Sequence, residues 1–403
     1  MSPRAVLLVL LCACAWSPAR AEAPRTLKES LRAGRFDGNI RLYYMNRDYD
    51  PSRIQEAFAL GGAASYLSPS WRGLSAGLTG FTSQRGGIAP GGRDGTYILA
   101  PGQKSYAVLG EAYARAEGFK TELKLFRQKL DTPFLNPWDI KMTPVTVEAY
   151  TLTNSALPFT QAMLSYVHRI KPWSSVEFRP MSDAAGFEGT DHPVVMAGAV
   201  VKPAPNAKFQ LWDYVACEFM NLLYAQADYA MGAGEDVSFE LSGQTLWQRD
   251  IGRQIGGDFH TGASGIKGTL TLDQRAAFKL SFTNAEEGHD VVNPWGGYPG
   301  YTSIMEEDCD VAGEKAWGAG FSYDFKGTRL EGLSFFMDHT SAHVPGGTPL
   351  KPPQRETDLT VDYRFKERLS GLWLRMRAAS VHDSLSVVSR IYRDYRIILN
   401  YDF

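Results

Sequence analysis

Along most of the chain, hydrophobic and polar positions alternate with a period of two, in segments of about ten residues. Phe36, Gly38, Ile40, Leu42 and Tyr44 alternate with Asp37, Asn39, Arg41 and Tyr43. The same pattern recurs at Leu223, Ala225, Ala227 and Tyr229, at Phe278, Leu280 and Phe282, and at Phe321, Tyr323 and Phe325. It returns at Leu359, Val361, Tyr363 and Phe365, and again at Leu372, Leu374 and Met376. Successive side chains of a strand point to opposite faces, so each segment predicts a strand with one apolar and one polar face. No apolar stretch beyond residue 21 approaches the ~20 residues of a membrane-spanning helix.

Alternation alone fits a secreted sandwich as well as a membrane barrel. The C-terminal segment separates the two. Tyr395, Ile397, Leu399, Tyr401 and Phe403 share one phase, while Asp394, Arg396, Ile398, Asn400 and Asp402 share the other. An aromatic face opposed by a charged face suits a barrel with lipid outside and water inside. The final Phe403 resembles the signal by which outer-membrane barrels are recognised for assembly. Connections fall into two classes. Short breaks are expected at Glu117-Gly118 and at residues 367–371, and long Gly- and Pro-rich loops at 83–102, 283–315 and 339–356.

Composition narrows the alternatives. The 403 residues carry 42 Lys and Arg against 44 Asp and Glu, with 44% hydrophobic and 21% charged positions. That content is too apolar for a disordered chain, and a formal charge of -2 offers no general attraction for nucleic acid. Arg4, the apolar run from Val6 to Ala15 and the small-x-small Ala19-Arg20-Ala21 read as a signal peptide over residues 1–21, cleaved before Glu22. Residues 22–403 then form one domain, long enough for about 16 to 18 strands with alternating short and long connections. Only Cys217 and Cys309 remain after cleavage, too few for a disulfide scaffold; whether they pair is left open.

Enzymatic readings are weak. Gly73-Leu74-Ser75-Ala76-Gly77 spells a nucleophile elbow, but that motif needs a strand-to-helix turn and here the alternation runs on. His382-Asp383-Ser384 places a base near a hydroxyl with no third group to orient it. Glu306, Glu307, Asp308 and Asp310 form an acidic loop that is a weak calcium candidate, lacking the spacing and turn glycine of an EF-hand. No other metal and no cofactor is expected.

Charged lumen positions are legible from phase. Arg364, Arg375, Arg377 and Arg396 fall on the polar face of the last three strands, and barrel closure would set Arg41 beside them. With strands ~4.8 Å apart these groups form a basic wall. Asp37, Asp362 and Asp394 share that phase, so the wall carries its own counter-charges.

Several blocks in order resemble one family. Leu42-Tyr43-Tyr44-Met45-Asn46-Arg47-Asp48, GLSAGLTGFTS at 73–83, LGEAYAR at 109–115, TELKLFRQKLDTPFLN at 121–136, KMTPVTVEAY at 141–150, WGGYPGYTS at 295–303, AGEKAW at 312–317 and the closing Asn400-Tyr401-Asp402-Phe403 are similar to OprD-family outer-membrane porins, notably their delta- and epsilonproteobacterial branch. The resemblance implies an all-β, 18-stranded transmembrane antiparallel barrel for passive diffusion of small hydrophilic, often carboxylate-bearing solutes. It also implies a constriction loop folded into the lumen against a basic ladder. Here that loop is residues 131–144, where Pro133, Pro137 and Pro144 take the chain out of the sheet and Asp131, Asp139 and Lys141 are the candidate charged groups. The family's usual Arg stands as Lys141, which keeps charge but loses bidentate recognition of a carboxylate. Implied partners are outer-membrane lipids, the barrel-assembly machinery and small solutes, with a monomer or loose trimer as the assembly. The alternatives are a surface-binding barrel and an outer-membrane hydrolase.

Overall fold

The computed structural model describes residues 33–49, 53–232, 236–346, 353–384 and 389–403; residues 1–21, expected to be a signal peptide, lie outside them. The strands are β1 Arg35–Tyr49, β2 Arg53–Leu67, β3 Leu74–Arg85, β4 Tyr106–Gly118, β5 Thr121–Gln128, β6 Thr146–Asn154 and β7 Thr160–Lys171. A two-residue β8 Arg179–Pro180 leads into the one-turn helix α1 Met181–Ala184. The series continues with β9 Val194–Ala204, β10 Ala207–Ala216, β11 Met220–Met231, β12 Val237–Asp250, β13 His260–Leu272, β14 Ala276–Ala285 and β15 Lys315–Asp324. It ends with β16 Leu333–His343, β17 Gln354–Arg364, β18 Leu372–Ser384 and β19 Ser389–Asp402.

Every neighbouring pair is antiparallel, and β7 pairs with β9 across the short insertion. β19 then pairs with β1, with Tyr43 opposite Ile398 and Met45 opposite Arg396, so the long strands close into one barrel of eighteen with β8 as an extra strand. Closure leaves no unpaired edge, which is what a sheet in hydrocarbon requires. Phe403 completes the seam: its N–H donates to the Gly38 carbonyl and its carbonyl accepts from the Gly38 N–H, each at 3.0 Å.

The two phases sort as the pattern requires. On β19, Tyr395 and Ile397 are 45% and 46% exposed on the outward face, whereas inward Asp394 and Arg396 are 0% and 1% exposed. Short connections gather at one end, at residues 119–120, 205–206 and 273–275, and long ones at the other, at 86–105, 129–145, 172–193 and 286–314. Long loops mark the extracellular end of such barrels. The turn expected at Glu117-Gly118 lies two residues later: Phe119 and Lys120 both take positive φ (51° and 58°), the paired left-handed conformation of a two-residue hairpin. Glycine suits that geometry better, so Glu117-Gly118 misled the reading; β4 in fact runs through Gly118.

The hydrophobic core lies inside the barrel rather than between sheets. Phe134 and Leu135 of loop 129–145, Met181 of α1, and Val291 and Trp295 of loop 286–314 pack on Val147, Tyr214, Leu222 and Tyr224 of the wall. A second cluster joins Ile98 and Leu99 of loop 86–105 and Met142 to Tyr43, Met45 and Ile398. Four long loops, 86–105, 129–145, 172–193 and 286–314, therefore turn inward. Each fully buried aliphatic or aromatic side chain contributes about 1.5–3 kcal/mol, enough to hold a loop against its lost chain entropy. Gly61 makes room for one of them: a Cβ there would stand 2.8 Å from the Met142 methyl carbon and 2.0 Å from the Thr82 carbonyl oxygen.

Candidate functional site

Loop 129–145 leaves the sheet at its prolines and is tied down at defined points. The Phe134 ring sits among Tyr214, Tyr224 and Tyr298 at centroid distances of 5.9, 5.6 and 6.1 Å, in edge-to-face contacts. Asn136 bridges to loop 286–314 by donating to the Gly297 carbonyl at 2.9 Å and accepting from the Gly297 N–H at 3.0 Å. Trp138 packs on Trp173 at 3.8 Å between centroids, and the Trp173 indole N–H donates to the Trp138 carbonyl at 2.7 Å. Loops 129–145, 172–193 and 286–314 thus interlock, and Trp295 adds a donation to the Met181 carbonyl at 2.9 Å.

Between the interlocked loops and the opposite wall lies a cavity of about 880 Å³. Its loop side carries Asp131, Asn136, Trp138, Asp139, Glu306 and Asp308; its wall side carries Lys208, Gln226, Arg377 and Arg396. The arginines expected to form the wall come together over β17, β18, β19 and β1, with one exception. Arg377 faces Arg396 in register across β18 and β19, and Arg396 faces Met45 across the seam. Arg375 forms a bidentate pair with Asp362 at 2.8 and 2.7 Å. Arg41 donates to Asp139 at 3.1 Å, to the Lys141 carbonyl at 2.7 Å and to the Asn400 side chain at 3.2 Å, so it fastens the constriction loop to the seam. The exception is Arg364. It is exposed at the end of β17 beside the short turn, with its backbone N–H bonded to the Gly332 carbonyl at 2.8 Å, and stands at the short-turn mouth of the barrel rather than in the cavity.

Two groups outside the expected set complete the arrangement. Arg47 lies on the inward phase of β1 and pairs with Asp394 at 3.0 Å and with Glu306 at 2.7 Å. Glu306 also pairs with Arg396, which itself binds Asp394 at 2.8 Å. Glu306 of the acidic loop segment is therefore a counter-charge to two wall arginines. Glu307 accepts from the Tyr392 hydroxyl at 2.8 Å and Asp308 from the Ser303 hydroxyl at 2.5 Å, and among the described residues no three His, Cys, Asp or Glu side chains converge to hold a metal ion. Two backbone N–H groups, of Glu306 and Glu307, donate to the Glu356 carboxylate at 2.9 and 2.8 Å, latching this loop to β17. The phase of Arg47 was readable, since it follows Arg41, Tyr43 and Met45. That Glu306 would reach back across the lumen was not, because loop paths leave no periodicity.

Lys141, in the loop, is buried, with its Nζ 3.6 Å from the Met45 sulfur and 5.5 Å from the centre of the Trp173 ring. Burial pushes its ammonium down to about 7, and Arg396 and Arg47 press in the same direction. Burial likewise pushes Asp310 up to about 7, with Asp308 and Glu314 adding repulsion. Arg377 differs from its neighbours: its Nε donates to the Thr360 hydroxyl at 3.2 Å, and among the described residues no carboxylate lies within ion-pair distance. Ser75 lies within β3, and its hydroxyl accepts from Arg115 at 3.0 Å, a cross-strand bond rather than an activated nucleophile. Cys217 and Cys309 are both free thiols.

A closed barrel with inward loops and a charged wall is matched by one family model, "outer membrane porin, OprD family", over residues 76–403. The chain belongs to the OprD family of outer-membrane porins. Solved structures agree on the fold. OccK9 (OpdG) of Pseudomonas aeruginosa superposes with a TM-score of 0.84 at 20% identity, covering 93% of this chain and 99% of that one. A BenF-like porin from Pseudomonas fluorescens Pf-5 gives 0.83 at 16% identity, with the same coverages of 93% and 99%. Pseudomonas aeruginosa OpdK with vanillate gives 0.81 at 18% identity, again covering 93% and 99%. None of the curated proteins searched matches the chain. As an OprD-family porin, the chain is a channel of the bacterial outer membrane for small solutes.

Proposed function

We propose that this porin favours small hydrophilic anions, carboxylates in particular, and that loop 129–145, loop 286–314 and the arginine wall of β18, β19 and β1 select them. The observation that carries this is Arg377. It lines the cavity opposite the loop acids and has its guanidinium committed only to a hydroxyl, whereas Arg41, Arg47, Arg375 and Arg396 are held by carboxylates. A guanidinium without a carboxylate presents fork geometry to a passing one. Lys141 adds a second cation without a carboxylate partner, though as a point charge. OpdK, a structural neighbour, was solved with vanillate, an aromatic carboxylate, which is in keeping with this preference.

The test is the reversal potential of the channel in a salt gradient. Arg377→Ala is expected to reduce anion preference, and Lys141→Ala to reduce it less. An unchanged reversal potential in both variants would place the selective wall elsewhere. We further propose export by residues 1–21, assembly guided by Phe403 through the barrel-assembly machinery, and a monomer or loose trimer of a single barrel domain. Replacing Phe403 with Ala is expected to lower the fraction that shows heat-modifiable migration on gels.

A further inference from the structure

The outward face of the last five strands carries a row of charge that the channel does not use. β15 to β19 each present one basic residue outward near the long-loop end: Lys315, His343, Arg355, His382 and Arg393, all of them exposed. Lys315 faces His343 in register, Arg355 faces His382, and Arg393 faces Ser380, two residues along β18 from His382. On each strand the same outward phase carries an exposed apolar residue two to six positions nearer mid-membrane: Trp317, Met337, Leu359, Met376 and Tyr395. At ~3.3 Å per residue along strands tilted ~35–45°, the basic row therefore stands roughly 5–16 Å above the apolar belt, the height of lipid headgroups.

Among the described residues, counter-charges stand at its borders, at Asp48, in register with Arg393, and at the exposed Glu286 and Glu287 that follow β14. Among the described residues none of the five basic side chains is ion-paired. The outward charges of β5, β6 and β7 are treated differently, for Glu148 holds Arg127 at 2.9 Å and His168 at 3.8 Å. Unpaired cations at the headgroup level are what an anionic lipid surface recruits. Arginine binds phosphate with its planar fork, and a histidine beside phosphate gains its proton near neutral pH.

We propose that this face binds the phosphate groups of the glycolipid headgroups in the outer leaflet, with Arg355 and His382 as one clamp and Lys315 with His343 as another. The assignment rests on the outer-membrane placement of the family but not on the solute the channel prefers. It is tested on the full chain in detergent, by native mass spectrometry with bisphosphorylated lipid A as probe and with the same glycolipid stripped of both phosphates as comparator. The variant is Lys315→Glu with Arg355→Glu and Arg393→Glu, accepted as folded when heat-modifiable migration and single-channel conductance match the unchanged protein. With on the order of fivefold in affinity per basic residue at an anionic surface, loss of the probe by a hundredfold or more is expected, while the comparator binds both proteins alike. Equal binding of probe by variant and unchanged protein would overturn the proposal. So would equal binding of probe and comparator by the unchanged protein. Should the triple variant fail to fold, Arg355→Gln with Arg393→Gln decides the matter by the same readout, with roughly a twentyfold loss expected.

Discussion

The two halves of the lumen are built from different chemistry. Along β6 to β11 the inward residues Val147, Val167, Met196, Tyr214 and Tyr224 are covered by Phe134, Leu135 and Trp295, so this half is a hydrophobic core in the ordinary sense. Along β17, β18, β19 and β1 the inward residues include Asp358, Asp362, Arg375, Arg377, Asp394, Arg396, Arg41 and Arg47 beside the smaller apolar cluster of Tyr43, Met45 and Ile398, and the loops bring Asp139 and Glu306 to these charges. The apolar half fixes the loops; the charged half is what a solute meets. A barrel lined wholly like the first would be plugged, and one lined wholly like the second would have no reason to hold its loops inward.

Breaking the apolar half has the largest expected effect. Phe134→Ala leaves a cavity among three tyrosines and should cost about 3–5 kcal/mol, read as a lowered midpoint of thermal unfolding in detergent. Because Phe134 anchors the constriction loop, single-channel conductance should also rise. A conductance equal to that of the unchanged protein would mean that Asn136 and Trp138 hold the loop without it. Breaking the charged half at its buried centre comes close behind. Arg396→Leu strands Asp394 and Glu306 with only Arg47 between them, at about 3–5 kcal/mol for an uncompensated buried charge. The double variant with Asp394→Leu should recover much of that loss, which a hydrophobic role for the Arg396 stem would not allow.

The contrast between halves also separates what was legible from what was not. The strands and the inward phase of Arg41, Arg375, Arg377 and Arg396 followed from period-two alternation, because a strand's faces are fixed by residue parity, whereas the barrel rested on the aromatic-against-charged C-terminal strand and its eighteen strands on the family resemblance. Arg364 obeyed the same parity yet ended at the mouth, since parity gives the face and not the height. Loop 129–145 was marked by its prolines. Loop 286–314 looked like any long extracellular loop, and its acidic segment like a solvated one with at most a weak affinity for calcium, because nothing local in Glu306-Glu307-Asp308 records that Arg47 and Arg396 await it across the lumen. Long-range pairing of this kind is written in the fold and only indirectly in the chain.

Glu306 allows a smaller and more selective break. Glu306→Gln keeps the shape of the side chain while removing the loop's charge from Arg47 and Arg396, and it leaves the backbone latch on Glu356 in place. A cost of about 1–3 kcal/mol is expected for the lost charge-assisted bonds. The more telling readout is the reversal potential, which should move towards anions because two wall arginines then share only Asp394. Movement towards cations would show that Glu306 does not neutralise the wall.

The smallest expected effect is a pH dependence owed to Lys141. Its ammonium is held down to about 7 by burial and by Arg396 and Arg47, so it is charged below that pH and neutral above it. Anion preference should therefore fall as pH rises through about 7, and Lys141→Met should lack that step while keeping the rest of the profile. Stability runs the opposite way. The unfolded chain holds this proton up to the ordinary lysine range of about 10.4, so between the two values unfolding takes up a proton and the folded barrel gains stability as pH rises. A selectivity step near 7 that survives in Lys141→Met would assign the titration to another group. Asp310, which is also pushed up to about 7 but sits in loop 286–314, is the next to replace.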